Sequence, residues 1–283
     1  MIHILVTGGN GQLASCIKDL ASNYKNVHIT YTDAHTLDIS DNKAVTQFFS
    51  KHTVNYCVNC AAYTAVDSAE NEMITAKNVN QLGAKNLAIA CQANQATLIH
   101  ISTDFVFDGA QSTLYSEAHK PNPQSVYGKT KYQGEIEIQQ HLKRYFILRT
   151  SWLYSEHGHN FMRTMLRLAK ERDTLSIVSD QIGTPTYAKD LAEVILTLIT
   201  TNQTAYGLYH YSNEGVASWY DFAQAIFQET QTTIKVIPIK TVAYPTPAKR
   251  PAFSVLDKTK IKDTFQISIP YWRTSLQKAL KAL

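Results

Sequence analysis

No run of 18 consecutive apolar residues occurs anywhere in the 283-residue chain, so no helical membrane span is expected. The first residues, Met1-Ile2-His3-Ile4-Leu5-Val6, lack the basic region of a signal peptide, and a cytoplasmic protein is expected. Clusters of one charge are missing too. The 27 Lys and Arg and 23 Asp and Glu are scattered, for a formal net charge of +4. That excludes the basic face of a nucleic-acid binder and leaves single cations for an anionic small molecule. Repeats, low-complexity tracts and Gly/Ser linkers are absent, so the parts of the chain should pack directly on one another. Cysteine is sparse, with Cys16, Cys57, Cys60 and Cys91 all in the first third. Cys57 and Cys60 form a Cys-x-x-Cys, but Val54 to Ala61 reads as a buried strand, on which residues three apart face opposite ways. No second pair follows at zinc-like spacing, so inert thiols and no metal are expected.

What the chain does have begins at once. Ile2 to Thr7 is a short apolar run rich in β-branched residues, the pattern of a strand buried on both faces of a parallel sheet. It ends in Gly8-Gly9-Asn10-Gly11-Gln12-Leu13-Ala14, after which Leu13, Ile17, Leu20 and Ala21 recur at helical spacing. Strand, glycine turn, helix is the dinucleotide-binding unit. Small residues at Gly8, Gly11 and Ala14 let the backbone turn and a pyrophosphate approach the helix N-terminus. A second strand, Val27 to Thr32, ends at Asp33, about 20 residues past the loop, where an acid accepts hydrogen bonds from an adenosine ribose. A carboxylate there repels a 2′-phosphate and leans toward NADH. Asp38 competes for that role, or lies near the adenine, or caps the helix that follows. Further strands are expected at 54–60 and 97–101, with a long helix over 72–93. The second of these strands leads into Ser102-Thr103-Asp104, whose hydroxyls either face a ligand or cap the local backbone.

Tyr127 and Lys131 stand one helical turn apart in Ser125-Val126-Tyr127-Gly128-Lys129-Thr130-Lys131. An ammonium beside a phenol lowers its pKa from near ~10 and fits it for proton transfer. With 16 tyrosines in the chain, about one such pair arises by chance. Its place after a Ser/Thr-ended strand, in a chain that opened on a glycine turn, gives it weight.

Taken together these segments resemble the extended short-chain dehydrogenase/reductases, and within them the dTDP-4-dehydrorhamnose reductase family, over essentially the whole chain. The stretches that carry the resemblance are Thr7 to Leu13, Ala61 to Asp67, Ser102 to Gly109, Tyr127 to Lys131, Arg149 to Tyr154, Asp180 to Thr186, Ser218 to Ala223 and Tyr244 to Pro251. The resemblance implies an NADPH- or NADH-dependent reduction of the C4 ketone of a dTDP-sugar. Tyr127 would be the proton donor, Lys131 would hold the nicotinamide ribose and lower the Tyr127 pKa, and Thr103 would bind the reacting oxygen. Gly8, Gly11, Gln12 and Leu13 would line the pyrophosphate, Asp33 the adenosine ribose, and Asp38 and Ile39 the adenine. Ala62, Tyr63 and Thr64 would flank the cofactor. Thr103, Asp104 and Trp152 would contact the sugar nucleotide, and Arg250, in a proline-flanked segment, suits its diphosphate. The magnesium-linked dimers of the family would need a carboxylate cluster. Cys16 and Lys189 stand against one here, leaving monomer or homodimer open. Two other readings remain: another nucleotide-sugar reductase or epimerase, and a noncatalytic NADP-binding regulatory subunit of the same fold.

The fold class expected is α/β, a Rossmann-type doubly wound parallel sheet with a smaller C-terminal α/β substrate-binding domain. The first would span 1–151, with 173–205 returning to it. The second would span 152–172 and 206–283, with the cleft between them.

Overall fold

The computed structural model describes Met1–Leu283. Strand β1 (Ile2–Thr7) turns through glycine into α1 (Gln12–Leu20), followed by β2 (Val27–Thr32), α2 (Asn42–Lys51) and β3 (Tyr56–Asn59). Two short helices, α3 (Val66–Ala69) and α4 (Met73–Lys77), lead through a π-helical turn at Asn78–Gly83 into α5 (Ala84–Ala93). Then come β4 (Thr97–Thr103), α6 (Val126–His141) and β5 (Tyr145–Thr150). The remainder runs β6 (Leu153–Tyr154), α7 (Phe161–Leu168), β7 (Thr174–Val178), β8 (Ile182–Gly183), β9 (Thr186–Tyr187) and α8 (Ala188–Thr200). It closes with β10 (Gly207–His210), β11 (Ala217–Ser218), α9 (Trp219–Glu229), β12 (Lys235–Ile239), α10 (Thr259–Phe265) and α11 (Trp272–Lys281).

The main sheet has six strands in the order β10-β5-β4-β3-β1-β2, every pair parallel. Parallel strands need helical crossovers, and these cover both faces. One face packs Leu13, Ile17, Leu191 and Ile195 of α1 and α8 against Ile4, Val6 and Leu148. The other packs Val45, Phe49, Leu87 and Ile138 of α2, α5 and α6 against Leu5, Leu98 and Ile147. The strand order reverses between β1 and β3, which opens a crevice at their carboxyl ends. A third core gathers Met162, Leu175, Phe222, Ile226, Trp272 and Leu276 from α7, β7, α9 and α11.

Two strands exchange the sides expected for them. The run around 206–211, assigned by sequence to the second module, supplies β10, which pairs with β5 at the edge of the main sheet. Conversely Thr174–Val178, expected to return to the first module, pairs with β12 beside the third core. Leu208 packs against the α2–α5–α6 core, and Leu175 and Ile177 fill the third core. Local pattern marks both as strands but carries no record of the partner. The long helix expected over 72–93 is broken by the π turn, which turns Asn80 inward to bond both Tyr63 backbone groups and the Thr130 hydroxyl. Cys57 and Cys60 do face opposite cores, as the strand period requires, and all four cysteines are free.

Candidate active site

The crevice between β1 and β3 continues past β4 into one cleft of about 930 Å³, walled on the far side by Trp152, Gly158, His159, Trp219 and Arg250. Every residue proposed from sequence for catalysis, cofactor or substrate lines it.

At one end lies the glycine turn. Gly8 has φ +67°, and a Cβ there would sit 2.7 Å from the Ala61 amide nitrogen, so no larger residue fits between β1 and the end of β3. Gly11 caps α1 without any side chain, which leaves the first-turn N–H groups to an anion. Asp33 accepts Asn10 Nδ2 at 2.8 Å on one oxygen, and the Thr36 amide and hydroxyl at 3.0 and 2.9 Å on the other. Those Thr36 bonds hold its carboxyl below the usual range and keep it ionised. Asp38 does not cap α2; Asp41 does, accepting from the Lys43 and Ala44 amides, while Asp38 accepts from Ser40.

At the centre stand Thr103, Asp104, Tyr127 and Lys131. Ser125 caps α6 by accepting the Gly128 amide, and a Cβ on Gly128 would sit 2.2 Å from the Phe105 carbonyl oxygen. Only glycine lets the first turn of α6, with Tyr127 on it, close on the segment after β4. Thr103 accepts the Phe105 amide at 3.1 Å and donates to Asp104 Oδ1 at 3.1 Å, so it both caps the backbone and faces the cleft. Its hydroxyl is also close enough to Tyr127 to oppose part of the rise in the phenol's pKa. The Asp104 carboxyl is pushed up to about 6 by burial, and its Oδ2 is buried without a partner.

In the arrangement seen here Lys131 does not lower Tyr127; burial pushes it up to about 12, and the Asp104 charge adds to the rise. Lys131 is itself lowered to about 8 by burial, and its Nζ turns away to donate to Ile101 O at 2.6 Å. The helical spacing places the two residues on one face but does not say where a four-carbon side chain ends.

At the substrate end, Trp152 has φ +45° and stacks on Trp219, ring centroids 3.5 Å apart and 6° from parallel. Gly183 makes room for the ring, since a Cβ there would stand 2.6 Å from the indole. Arg250 lines the cleft but its guanidinium is held by Asp67, Nη2 to Oδ2 at 2.7 Å and Nη1 to Oδ1 at 3.1 Å. Neither Trp219 nor Asp67 was picked out as a site residue from the sequence; each stands in a quoted stretch, so position alone could have raised them. Outside the cleft, Cys16 and, far from it in sequence, Glu156 and His157 place ligand atoms within 4.8 Å of one another. The Cys16 thiol is pushed up to about 12 by burial, and His157 pairs with Asp19 at 2.6 Å.

A family model described as the RmlD substrate binding domain matches residues 2–283. The dTDP-4-dehydrorhamnose reductase of Aggregatibacter actinomycetemcomitans is 42% identical, the alignment covering 98% of each chain. The chain belongs to the dTDP-4-dehydrorhamnose reductase family. The solved dTDP-4-dehydrorhamnose reductase of Clostridium acetobutylicum is 42% identical with a TM-score of 0.96 over 99% of each chain. The Bacillus anthracis reductase, solved in complex with NADP, is 38% identical with a TM-score of 0.95 over the full length of both. Membership accords with the all-parallel sheet and with the clustering of Thr103, Tyr127 and Lys131 at the end of β4. No helix is long and apolar enough to cross a membrane.

Proposed function

We propose that this protein reduces the C4 ketone of dTDP-4-dehydro-β-L-rhamnose to dTDP-β-L-rhamnose with NADPH or NADH, the last step of dTDP-L-rhamnose synthesis. The observation that carries the reading is the convergence of Thr103, Tyr127 and Lys131 with the glycine turn in one cleft, in a chain whose full-length relatives bear that reductase name. The cradle fits a dinucleotide: Gly8 leaves no side chain between β1 and β3, the α1 N-terminus is uncapped, and Asp33 is held ionised near the end of β2.

A reduced nicotinamide supplies hydride to the sugar C4. The chain's own residues do the rest. Tyr127, protonated at neutral pH, gives its proton to the C4 oxygen as the hydride arrives, and the Thr103 hydroxyl, turning from Asp104 Oδ1, donates to the same oxygen. Lys131, drawn out to the ribose, brings a positive charge to Tyr127 and offsets the burial that holds its proton. Gln12 and Leu13 bind the pyrophosphate with Gly8 and Gly11, Asp33 the ribose, Asp38 and Ile39 the adenine, and Ala62, Tyr63 and Thr64 the cofactor's flank. Asp104 meets the sugar nucleotide beside Thr103, Trp152 gives a flat wall, and Arg250 meets the diphosphate by exchanging Asp67 for it.

The test mixes the protein with dTDP-4-dehydro-L-rhamnose and follows NADH and NADPH oxidation separately, with product analysis. Formation of dTDP-L-rhamnose is expected. Cofactor binding with no turnover of this sugar overturns the reading.

A further inference from the structure

Beneath the cleft floor a chain of buried polar groups runs across three strands to Lys131, and the reaction as proposed gives the rest of it no role. Thr7 Oγ1 on β1 donates to Asn59 Oδ1 on β3 at 2.7 Å, and the Ala61 amide donates to the same oxygen at 3.2 Å. Asn59 Nδ2 faces His100 Nδ1 on β4 at 3.0 Å, and His100 Nε2 faces Lys131 Nζ at 3.3 Å. Asn59, His100 and Lys131 are each about 98% buried or more, so they are nearly closed to bulk solvent.

Donor and acceptor counting fixes the protons. A backbone N–H can only donate, so the Ala61 amide assigns the Asn59 oxygen to its own side and the Asn59 NH₂ to His100. His100 Nδ1 is then the acceptor, and the neutral ring carries its hydrogen on Nε2, pointing at Lys131. An ammonium has three donors and no acceptor. Nε2–H against Nζ–H₃⁺ is a donor facing a donor, whereas a neutral amine accepts that hydrogen and still donates to Ile101 O.

We infer that His100, fixed as its Nε2–H tautomer by Asn59, is a positioning residue that holds the uncharged amine of Lys131 at rest against β4 and turns the charged form out toward the cleft. The inference deepens the reductase reading and rests on it for the use of Lys131. Burial already lowers Lys131 to about 8, in the direction the tautomer requires. The other groups around Lys131 do not reverse this. Glu135, one turn further along α6, pulls the other way, but its carboxylate is clasped by Arg149 of β5 at 2.9 and 2.6 Å and by the Ser102 hydroxyl at 2.5 Å. The Cys60 thiol beyond β3 is raised by burial and neutral, and Tyr127 is neutral. The consequence is a lysine that takes up a proton from solvent in the cleft as it leaves β4 for the ribose hydroxyls.

The experiment is ¹⁵N NMR of the full chain with labelled histidine and lysine, without cofactor, beside the pH profile of kcat/KM for wild type and His100→Gln. In wild type the His100 proton is expected on Nε2, and Lys131 is expected to titrate well below the surface lysines. Glutamine can turn its amide oxygen to the ammonium, so the Lys131 titration and the alkaline limb of kcat/KM should both move up by about one unit or more. A proton on Nδ1 overturns the inference, and so does a Lys131 titration that His100→Gln leaves in place. The NMR readings need no turnover. If they come out as expected while dTDP-4-dehydro-L-rhamnose is not reduced, the reductase reading fails and the lysine device stands. The wild-type tautomer decides the matter even if the variant does not fold.

Discussion

Trp152 and Trp219 lie face to face, ring centroids 3.5 Å apart and planes 6° from parallel, one in a left-handed backbone turn after β5 and the other at the first position of α9. Trp219 is tied on its far edge to Gln181 at 3.2 Å and to the Phe161 ring. The pair makes a flat wall that neither ring holds alone, and an aromatic contact of this kind is worth about 0.5–1.5 kcal/mol. Trp219→Ala should raise KM for the sugar nucleotide by roughly tenfold while kcat changes little, as steady-state kinetics at saturating cofactor would measure. An unchanged KM removes the wall from the substrate site.

Tyr127→Phe deletes one hydroxyl from a ring that keeps its edge contact with Phe105. Turnover should fall by roughly 10²–10⁴-fold with the melting temperature close to wild type. Stopped-flow measurement of NADPH oxidation, paired with calorimetry, separates lost chemistry from lost fold.

The Asp104 carboxyl, pushed up to about 6 by burial, carries a pH signature. Its folded pKa lies above the unfolded value near ~3.9, so its stabilising effect is complete below that value and is lost as pH rises through about 6. Asp104→Asn removes the buried charge and keeps a polar group beside Thr103. Relative to wild type, the variant should gain stability as pH rises from 4 toward 7 and plateau above, in urea denaturation series at fixed ionic strength. A difference that stays flat between pH 4 and 7 contradicts the buried-charge account.

Asp33 is ionised and already ordered by Asn10 and Thr36. A 2′-phosphate brought beside it meets like charge. Asp33→Ala should shift the kcat/KM ratio of NADPH over NADH upward by about tenfold. A ratio that does not move places the adenosine ribose elsewhere along the cleft.

The parts of this site that were legible in the sequence are those set by local geometry. The glycine turn follows from Gly8 and Gly11, the α6 placement of Tyr127 from a Ser cap and helical spacing, and the strand-end position of Thr103 from an apolar run that stops there. What was not legible depends on long-range partners. The Asp67 clasp on Arg250 joins residues 183 apart in sequence, and the Asn59–His100 contact joins two strands by their register. The direction of Lys131 fails for the same reason, because His100 and Ile101 draw it from a neighbouring strand. The exchange of β7 and β10 between sheets is a matter of pairing, and a strand of four or five residues reads alike beside either partner.

The position of β10 has a further consequence. The chain leaves the main sheet after β5, builds β7 beside the third core, returns for α8 and β10, and departs again for α9 and β12. No single cut divides this molecule into two self-sufficient halves. A fragment ending near residue 151 would lack its edge strand and α8, and the remainder would carry both with no sheet to join. Because α10 packs Ile261 back into the main core before α11 rejoins the third, partial proteolysis should release no stable piece, heat should melt the protein in a single transition, and a substrate-binding half from a relative could be grafted in only as three separated segments inserted together.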